Sequence, residues 1–413
     1  MRSPSLLQWL HSKRILLLTL TALAFFSVSD LPAEEPHFTG PWNLAELEKV
    51  PAAEWSPPVD GIREVRYAGE PFEGKPTRVF AYYGQPEGDG PFPGVVLVHG
   101  GGGKAFKDWV AHWVKRGYAA IAMDLAGNGP DGRLPDGGPD QSHPAKFRPF
   151  TPETVDTVWT YYAVAAVIRA HSLLATQPAV DKNRIGITGI SWGGYLTCIV
   201  SGLDRRLKVA VPVYGCGFIN EDSAWVDDQF NKMSPEQRDL WVDNFDPSKY
   251  LPGVRCPILF ITGTNDHPYP LVIHAKSVRL VSDKWRTLTV IPRMPHGHIW
   301  TFPEVDAFID AELKGGQKLL RVTWICVIVG PEIAFSFVTS PEGVKRITKV
   351  ELHYTQDNGK WPEREWKSTP GQIDENSIRI SAQMPEKGYL AYYLSVTDER
   401  GLVVSTLHQE REE

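Results

Sequence analysis

Short apolar runs alternate with longer amphipathic segments between residues 61 and 313, and this alternation constrains the fold more than any other feature of the chain. Continuous runs rich in Val and Ile are typical of strands that are buried on both faces. Amphipathic segments between such runs favour helices that connect parallel strands. The sequence therefore predicts an α/β unit, a mostly parallel, doubly wound sheet covered by helices.

The strands of this unit can be located individually. We expect an opening antiparallel hairpin at 62–67 and 77–83, followed by strands at 95–98, 119–124, 185–189, 209–214, 258–263 and 287–291. The clearest helix is expected at 152–174.

Beyond a polar stretch at 314–318 the pattern changes to short strands and turns without a long helix. Segments of strand composition occur at 333–338, 349–355, 377–382 and 389–396, with turn signals such as Asn358-Gly359 between them. About 95 residues of this kind, at 319–413, predict a small all-β domain, an immunoglobulin-like sandwich.

The amino terminus predicts export. Within residues 1–33, basic side chains precede an apolar run at 15–28, which is short for a membrane span and has the length of a signal-peptide core. Cleavage is expected after Ser29 or Ala33, and an uncleaved anchor is the alternative. We therefore expect a secreted or periplasmic protein without stable membrane association after cleavage, in which an irregular arm at 34–60 precedes the α/β unit.

Charge and cysteine content exclude several classes of function. The 43 basic and 49 acidic residues give a net charge of -6, which offers no broad positive surface for nucleic acid. Four cysteines are too few for a disulfide framework in a chain of this size, and no Cys/His spacing predicts a metal site. We expect no metal and no cofactor, and the oligomeric state does not follow from the sequence.

The strongest chemical motif is a Gly-x-Ser-x-Gly pattern at 189–193. It places Ser191 between the strand expected at 185–189 and a helical run at 195–201, which is the strand-turn-helix context that this motif requires. A sharp turn there would hold the serine on strained backbone, and glycines on both sides would leave room for neighbouring elements.

The stretch 180–194, VDKNRIGITGISWGG, resembles the α/β-hydrolase superfamily. It is most similar to the acetyl xylan esterase, dienelactone hydrolase and prolyl oligopeptidase-type branches, and the resemblance extends over residues 61–313. It implies the α/β-hydrolase fold, a nucleophilic role for Ser191, and an acid and a base that follow in the order Ser, Asp, His.

The strand expected at 258–263 ends in Gly-Thr-Asn-Asp, which resembles the acid loop of the family. Asp266, 75 residues after the serine, is therefore the expected orienting acid.

The strand expected at 287–291 is followed by the sequence PRMPHGH. One of its two histidines should be the general base, because an imidazole can take a serine proton and return it to the leaving group. His296 is the expected base since it precedes a glycine as in related His-Gly loops, and His298 is the alternative.

An oxyanion hole needs two backbone amides aimed at the charge that develops during attack. The amide of Trp192, directly after the nucleophile, is one candidate. The second is expected from the loop His-Gly-Gly-Gly-Gly at 99–103, with Gly101 as the expected donor. This loop also resembles the His-Gly-Gly-Gly loop of lipase-like esterases and does not by itself select a branch.

The aromatic residues leave two interpretations open in each half of the chain. Trp225, Trp241 and Phe245 would either stack on sugar or pack a lid onto the sheet, and packing is favoured. The same choice applies to the aromatics of the β domain, where a structural or interdomain role is favoured over a platform for polysaccharide; these are Trp361, Trp366, Tyr389, Tyr392 and Tyr393.

The expected function is that of an exported serine esterase that cleaves small carboxylic esters, acetyl esters of carbohydrates among them, through an acyl-enzyme. A prolyl oligopeptidase-like peptidase is the first alternative, and it is disfavoured because only about 30 residues are available ahead of the α/β unit, where such enzymes carry a propeller. A catalytically silent carbohydrate-binding protein is the second.

Overall fold

A computed structural model describes residues 38–299, 302–323, 327–329, 333–385, 388 and 390–410. The predicted signal segment at 1–33 lies outside these residues. From Phe38 onward the arm is not wholly irregular, because it contains a short helix and an edge strand. Its Trp42 is buried against Tyr161, Phe245 and Tyr250, so this part of the arm packs against the α/β unit.

The strands of the described residues are, in chain order, β1 (Ala53–Trp55), β2 (Ile62–Ala68), β3 (Arg78–Gly84), β4 (Phe92–Val98), β5 (Ala119–Met123), β6 (Asn128–Gly129), β7 (Gly132–Arg133), β8 (Val180–Ile190), β9 (Val209–Val213), β10 (Ile258–Gly263), β11 (Arg286–Ile291), β12 (Val327–Val329), β13 (Ile333–Phe337), β14 (Ile347–Thr355), β15 (Trp366–Asp374), β16 (Arg379–Gln383), β17 (Ala391–Asp398), β18 (Val403–Ser405) and β19 (Gln409–Glu410).

The α-helices are α1 (Leu44–Leu47), α2 (Lys107–Lys115), α3 (His143–Phe147), α4 (Trp159–Ala175), α5 (Trp192–Leu203), α6 (Pro235–Phe245), α7 (Leu271–Arg279), α8 (Pro303–Lys314) and α9 (Pro341–Lys345). No helix in the part of the chain that the structure describes is both long and apolar enough to cross a membrane.

The first sheet confirms the predicted α/β fold. Its strand order within the described residues is β1-β2-β3-β5-β4-β8-β9-β10-β11. Strands β5, β4, β8, β9, β10 and β11 pair parallel in that order. Strands β1, β2, β3 and β5 pair antiparallel. Every residue of β9 and β10 is buried, which explains their continuous apolar sequence.

Helices cover this sheet on both faces, as a doubly wound fold requires. Helices α4 and α5 pack on each other and on the central strands β4, β8 and β9. Helices α2 and α8 lie together elsewhere on the sheet, and Arg116 just after α2 forms an ion pair with Asp306 of α8 at 3.4 Å. Every residue of α5 is buried, because this helix lies between the sheet, α4 and the 3₁₀ turns at 247–253.

The helix expected at 152–174 is wrong over its first part. A 3₁₀ segment, Pro152–Thr157, precedes α4, and Val158 between them is extended with ψ 136°. The side chain of Val158 is fully buried at this break in the helix. The hydrophobic periodicity of the sequence did not indicate the break.

The C-terminal residues form a separate antiparallel β domain, which confirms the predicted all-β architecture. Strand order there is β12-β13-β16-β15-β14-β17-β18, with β19 beside β17. Strand β15 pairs with β14 through residues 366–370 and with β16 through residues 371–374, so it joins two ladders.

Candidate active site

The turn after β8 holds Ser191 in a strained conformation, with φ 58° and ψ -120°. The Ser191 N–H donates to the Val213 carbonyl at 2.9 Å, which ties the turn to β9. A Cβ on Gly189 would overlap the backbone of Gly193, and a Cβ on Gly193 would overlap the Val98 carbonyl oxygen. The glycines beside the serine therefore allow the strand, the turn and α5 to approach closely.

Ser191, His296 and Asp266 lie in one hydrogen-bonded series. The Ser191 hydroxyl and His296 Nε2 are 2.8 Å apart, and His296 Nδ1 lies 2.6 Å from Asp266 Oδ2. Since the carboxylate can only accept, Nδ1 carries the proton and Nε2 accepts from the serine. A serine held by such an imidazole can be activated as a nucleophile.

Two tyrosines that carry no sequence motif hold the base and the acid, Tyr214 at His296 and Tyr269 at Asp266. The Tyr214 ring stacks on the imidazole at 4.3 Å, and its hydroxyl donates to the Pro295 carbonyl at 2.7 Å. Tyr214 directly follows β9 and has φ 64°, so the chain turns at the residue whose ring stacks on the imidazole. The Tyr269 N–H donates to Asp266 Oδ1 at 2.8 Å and fixes the second carboxylate oxygen.

The structure brings His296, and not His298, to the serine. The His298 Nε2 instead accepts a hydrogen bond from the Gly100 amide at 3.0 Å. The two histidines of the loop after β11 therefore have separate partners, the nucleophile and the glycine loop.

The two residues expected to supply the oxyanion amides, Trp192 and Gly101, pack against each other. Trp192 is the first residue of α5, where a helix leaves its amides without intrahelical partners and carries partial positive charge. A Cβ on Gly101 would lie 2.9 Å from Cδ1 of the Trp192 indole, so the glycine loop packs against this residue. Neither amide has a protein hydrogen-bond acceptor among the described residues. Their use as oxyanion donors stays a prediction.

A buried lysine also lies at this loop. The Lys146 Nζ is 4.6 Å from the ring centroid of Trp192 and 5.0 Å from that of Trp159, and it donates to the Gln141 carbonyl at 2.7 Å. Burial lowers the pKa of Lys146 to about 7. No local motif marks this lysine as a site residue, and its Nζ lies over the indole that follows the nucleophile.

The aromatic residues of the loop before the acid strand pack inside the protein. Trp225, Trp241 and Phe245 are at most 6% exposed. The ring centroid of Trp225 lies 4.7 Å from that of Trp192, and Trp241 stacks on Phe147. These contacts agree with the packing interpretation rather than with a sugar-stacking surface.

The acid loop contacts the β domain through Asn265. Its Nδ2 donates to the carbonyls of Pro362 and Arg364 at 2.9 and 2.8 Å, and its Oδ1 accepts from the Thr264 hydroxyl at 2.6 Å. The residue next to the expected acid is therefore fixed by the C-terminal domain, a link that local sequence patterns do not reveal.

The aromatics of the β domain are mostly in its core. Trp361, Tyr392 and Tyr393 are buried, Trp366 is half-buried, and Tyr389 lies outside the described residues. Cys198, Cys216 and Cys256 are buried and free. The described residues contain no group of three His, Cys, Asp or Glu side chains arranged to hold a metal ion.

Comparison with known proteins places this chain in a family. Residues 79–287 match the model of the dienelactone hydrolase family. An acetyl esterase of Xylanibacter ruminicola is 21% identical over 265 residues, which are 55% of this chain and 55% of that protein. The chain thus spans about half the length of this curated relative.

Two solved structures share the fold. An acetyl xylan esterase from a Paenibacillus species aligns with a TM-score of 0.54 and 22% identity, over 66% of this chain and 92% of that one. An acetyl xylan esterase from Thermoanaerobacterium aligns with a TM-score of 0.52 and 18% identity, over 67% of this chain and 96% of that one.

Proposed function

Because this chain belongs to the dienelactone hydrolase family, we propose that it is an exported serine esterase that hydrolyses small carboxylic esters, with acetyl esters of carbohydrates as the preferred class. The observation that carries the proposal is the contact series from Ser191 through His296 to Asp266, with distances of 2.8 and 2.6 Å. The acetyl esterase relative supports the choice of acyl group.

The proposed reaction begins with attack of Ser191 Oγ on the ester carbonyl carbon, while His296 Nε2 takes the hydroxyl proton. The carbonyl oxygen becomes an oxyanion, which the amides of Trp192 and Gly101 stabilise. Collapse of this intermediate breaks the bond to the alcohol, which leaves with the proton from His296. Asp266 stabilises the imidazolium that forms while His296 holds this proton.

Water completes the cycle. His296 takes a proton from a water molecule as its oxygen attacks the acyl-enzyme carbonyl, and the same imidazole returns that proton to Ser191 Oγ as the acid leaves. The enzyme is regenerated without a cofactor.

The test is steady-state hydrolysis of aryl esters of increasing acyl length, acetylated xylan and blocked dipeptide amides by the purified chain. We expect acetates to be preferred and acetate to be released from xylan. The Ser191→Ala variant should lose about a thousandfold or more of kcat because only the nucleophile is removed. Ser282→Ala is the matched control and should keep full activity. Ser282 is an exposed serine before β11, at the amino-terminal ends of the strands and away from Ser191.

Preferred cleavage of the dipeptide amides would instead support a peptidase. Absence of turnover with every substrate would contradict an enzymatic role, and retained activity in Ser191→Ala would contradict the assigned nucleophile.

Export is part of the same proposal. We expect the protein recovered from the producing cells to begin after Ser29 or Ala33 and to be released from the cytoplasm. Mass spectrometry of the recovered chain measures this, and an intact residue 1–33 segment on a cytoplasmic protein would contradict it.

A further inference from the structure

His298 lies against the glycine loop from the side of the base loop. Its Nε2 accepts from the Gly100 amide at 3.0 Å, and a Cβ on Gly103 would lie 2.6 Å from the same nitrogen. The imidazole also packs against Phe106 and Trp109 around the start of α2, with ring centroids 5.2 and 6.3 Å away. The ring therefore occupies the space that the missing side chains of the loop leave open.

A second histidine, His99, also holds the glycine loop. The Leu125 amide donates to His99 Nε2 at 2.9 Å, so the proton of the ring is on Nδ1, which donates to the Gly100 carbonyl at 2.7 Å. Burial lowers the pKa of His99 to about 4, and the ring is neutral near pH 7. Both the nitrogen and the oxygen of Gly100 are thus held by imidazoles.

The position of Gly100 matters because this residue touches the nucleophile. A Cβ on Gly100 would lie 2.9 Å from the Ser191 Cβ. The next residue, Gly101, is the expected oxyanion donor. Four consecutive glycines have large conformational freedom, so the direction of the Gly101 amide depends on contacts from outside the loop. A donor that is fixed before the reaction stabilises the oxyanion without reorganisation.

We propose that His298 is a positioning residue that holds the glycine loop at 100–103 so that the Gly101 amide points to the developing oxyanion. It does so as a neutral imidazole that accepts from the Gly100 amide, and it touches no reacting atom. Burial lowers the pKa of His298, which favours this accepting form. The inference rests on the proposed esterase function.

Two variants separate the hydrogen bond from the packing. His298→Leu keeps apolar volume against Phe106 and Trp109 but has no acceptor, whereas His298→Gln offers a carbonyl oxygen at a similar reach. We expect His298→Leu to lower kcat for an aryl acetate about tenfold to a hundredfold with KM changed less than about threefold. His298→Gln should recover kcat to within about fivefold of wild type.

A boronic acid provides a readout that a general loss of structure would not reproduce. Such a compound forms a tetrahedral adduct with a nucleophilic serine and places an oxygen at the oxyanion position. Its inhibition constant should rise in His298→Leu by the same factor as kcat/KM falls, and it should recover in His298→Gln. His143→Leu, a substitution of an exposed histidine at the start of α3, is the matched control and should leave kcat and inhibition unchanged.

If His298→Leu does not fold, Gly103→Ala tests the hold of the imidazoles on the loop, because its methyl group would lie 2.6 Å from His298 Nε2 and 2.8 Å from His99 Nδ1; kcat should then fall with KM retained. Wild-type kcat in a folded His298→Leu or Gly103→Ala enzyme would overturn the inference alone. Equal losses in His298→Leu and His298→Gln would overturn it as well. A wild-type chain without esterase activity would overturn the proposed function and, with it, this inference.

Discussion

At the scale of single residues, the site depends on where side chains are absent. Ser191 has φ 58° in the turn between β8 and α5. Gly189 and Gly193 on either side of it let this turn approach β4, the strand that leads into the glycine loop. The Val98 carbonyl oxygen occupies the space that a Cβ of Gly193 would need. The geometry of the nucleophile is therefore coupled to close packing between three backbone segments.

We expect Gly193→Ala to destabilise the fold by about 1–3 kcal/mol, because the methyl group must displace the backbone at Val98. Activity should fall together with stability. Chemical denaturation followed by tryptophan fluorescence measures the change. Gly138→Ala is the matched control, since a Cβ there meets no atom within 4 Å. Equal stability of the two variants would show that the turn tolerates a side chain.

The sequence favours His296 over His298 only through a resemblance to related His-Gly loops, for a physical reason. Both follow the same strand and are separated by a single glycine, so local pattern gives them the same chemistry. What distinguishes them is tertiary: His296 reaches Ser191 while His298 reaches Gly100. Tyr214 and Lys146 were not singled out because neither carries a local motif.

At the scale of elements, the parallel strands carry the site at their carboxyl ends. Strands β4, β8, β10 and β11 end in the glycine loop, the nucleophile turn, the acid loop and the base loop respectively. These strands were predictable because strands buried on both faces are continuous apolar runs. Strand β15 was not predicted, since it is at most half-buried and contains Pro370 and Gly371.

The β domain contacts the carboxyl ends of these strands through the acid loop. We expect Asn265→Ala to lower kcat about tenfold, because two hydrogen bonds to the Pro362 and Arg364 carbonyls are lost beside Asp266. The steady-state rate with an aryl acetate measures the effect. Asn376→Ala, in an exposed turn of the same domain, should have no effect. Unchanged kcat in Asn265→Ala would show that the acid loop holds its position without the β domain.

At the scale of the whole molecule, the two sheets act as one support for the site. Strand β18 lies along β11, where the Thr289 hydroxyl donates to the Val403 carbonyl at 2.6 Å and the Val290 amide donates to Ser405 Oγ at 3.1 Å. The β domain thus covers a sheet edge that would otherwise expose unpaired backbone. Sequence composition predicted the existence of this domain but could not indicate its docking, which depends on contacts between distant residues.

The most direct test of the proposed mechanism is covalent labelling of the intact protein with a fluorophosphonate, followed by mass spectrometry of the whole chain and of its peptides. We predict a single adduct on the peptide that contains Ser191, formed by wild type and absent from Ser191→Ala, because only a serine activated by His296 reacts rapidly. An adduct at another residue, or an unlabelled Ser191 in a chain that still hydrolyses esters, would contradict Ser191 as the nucleophile.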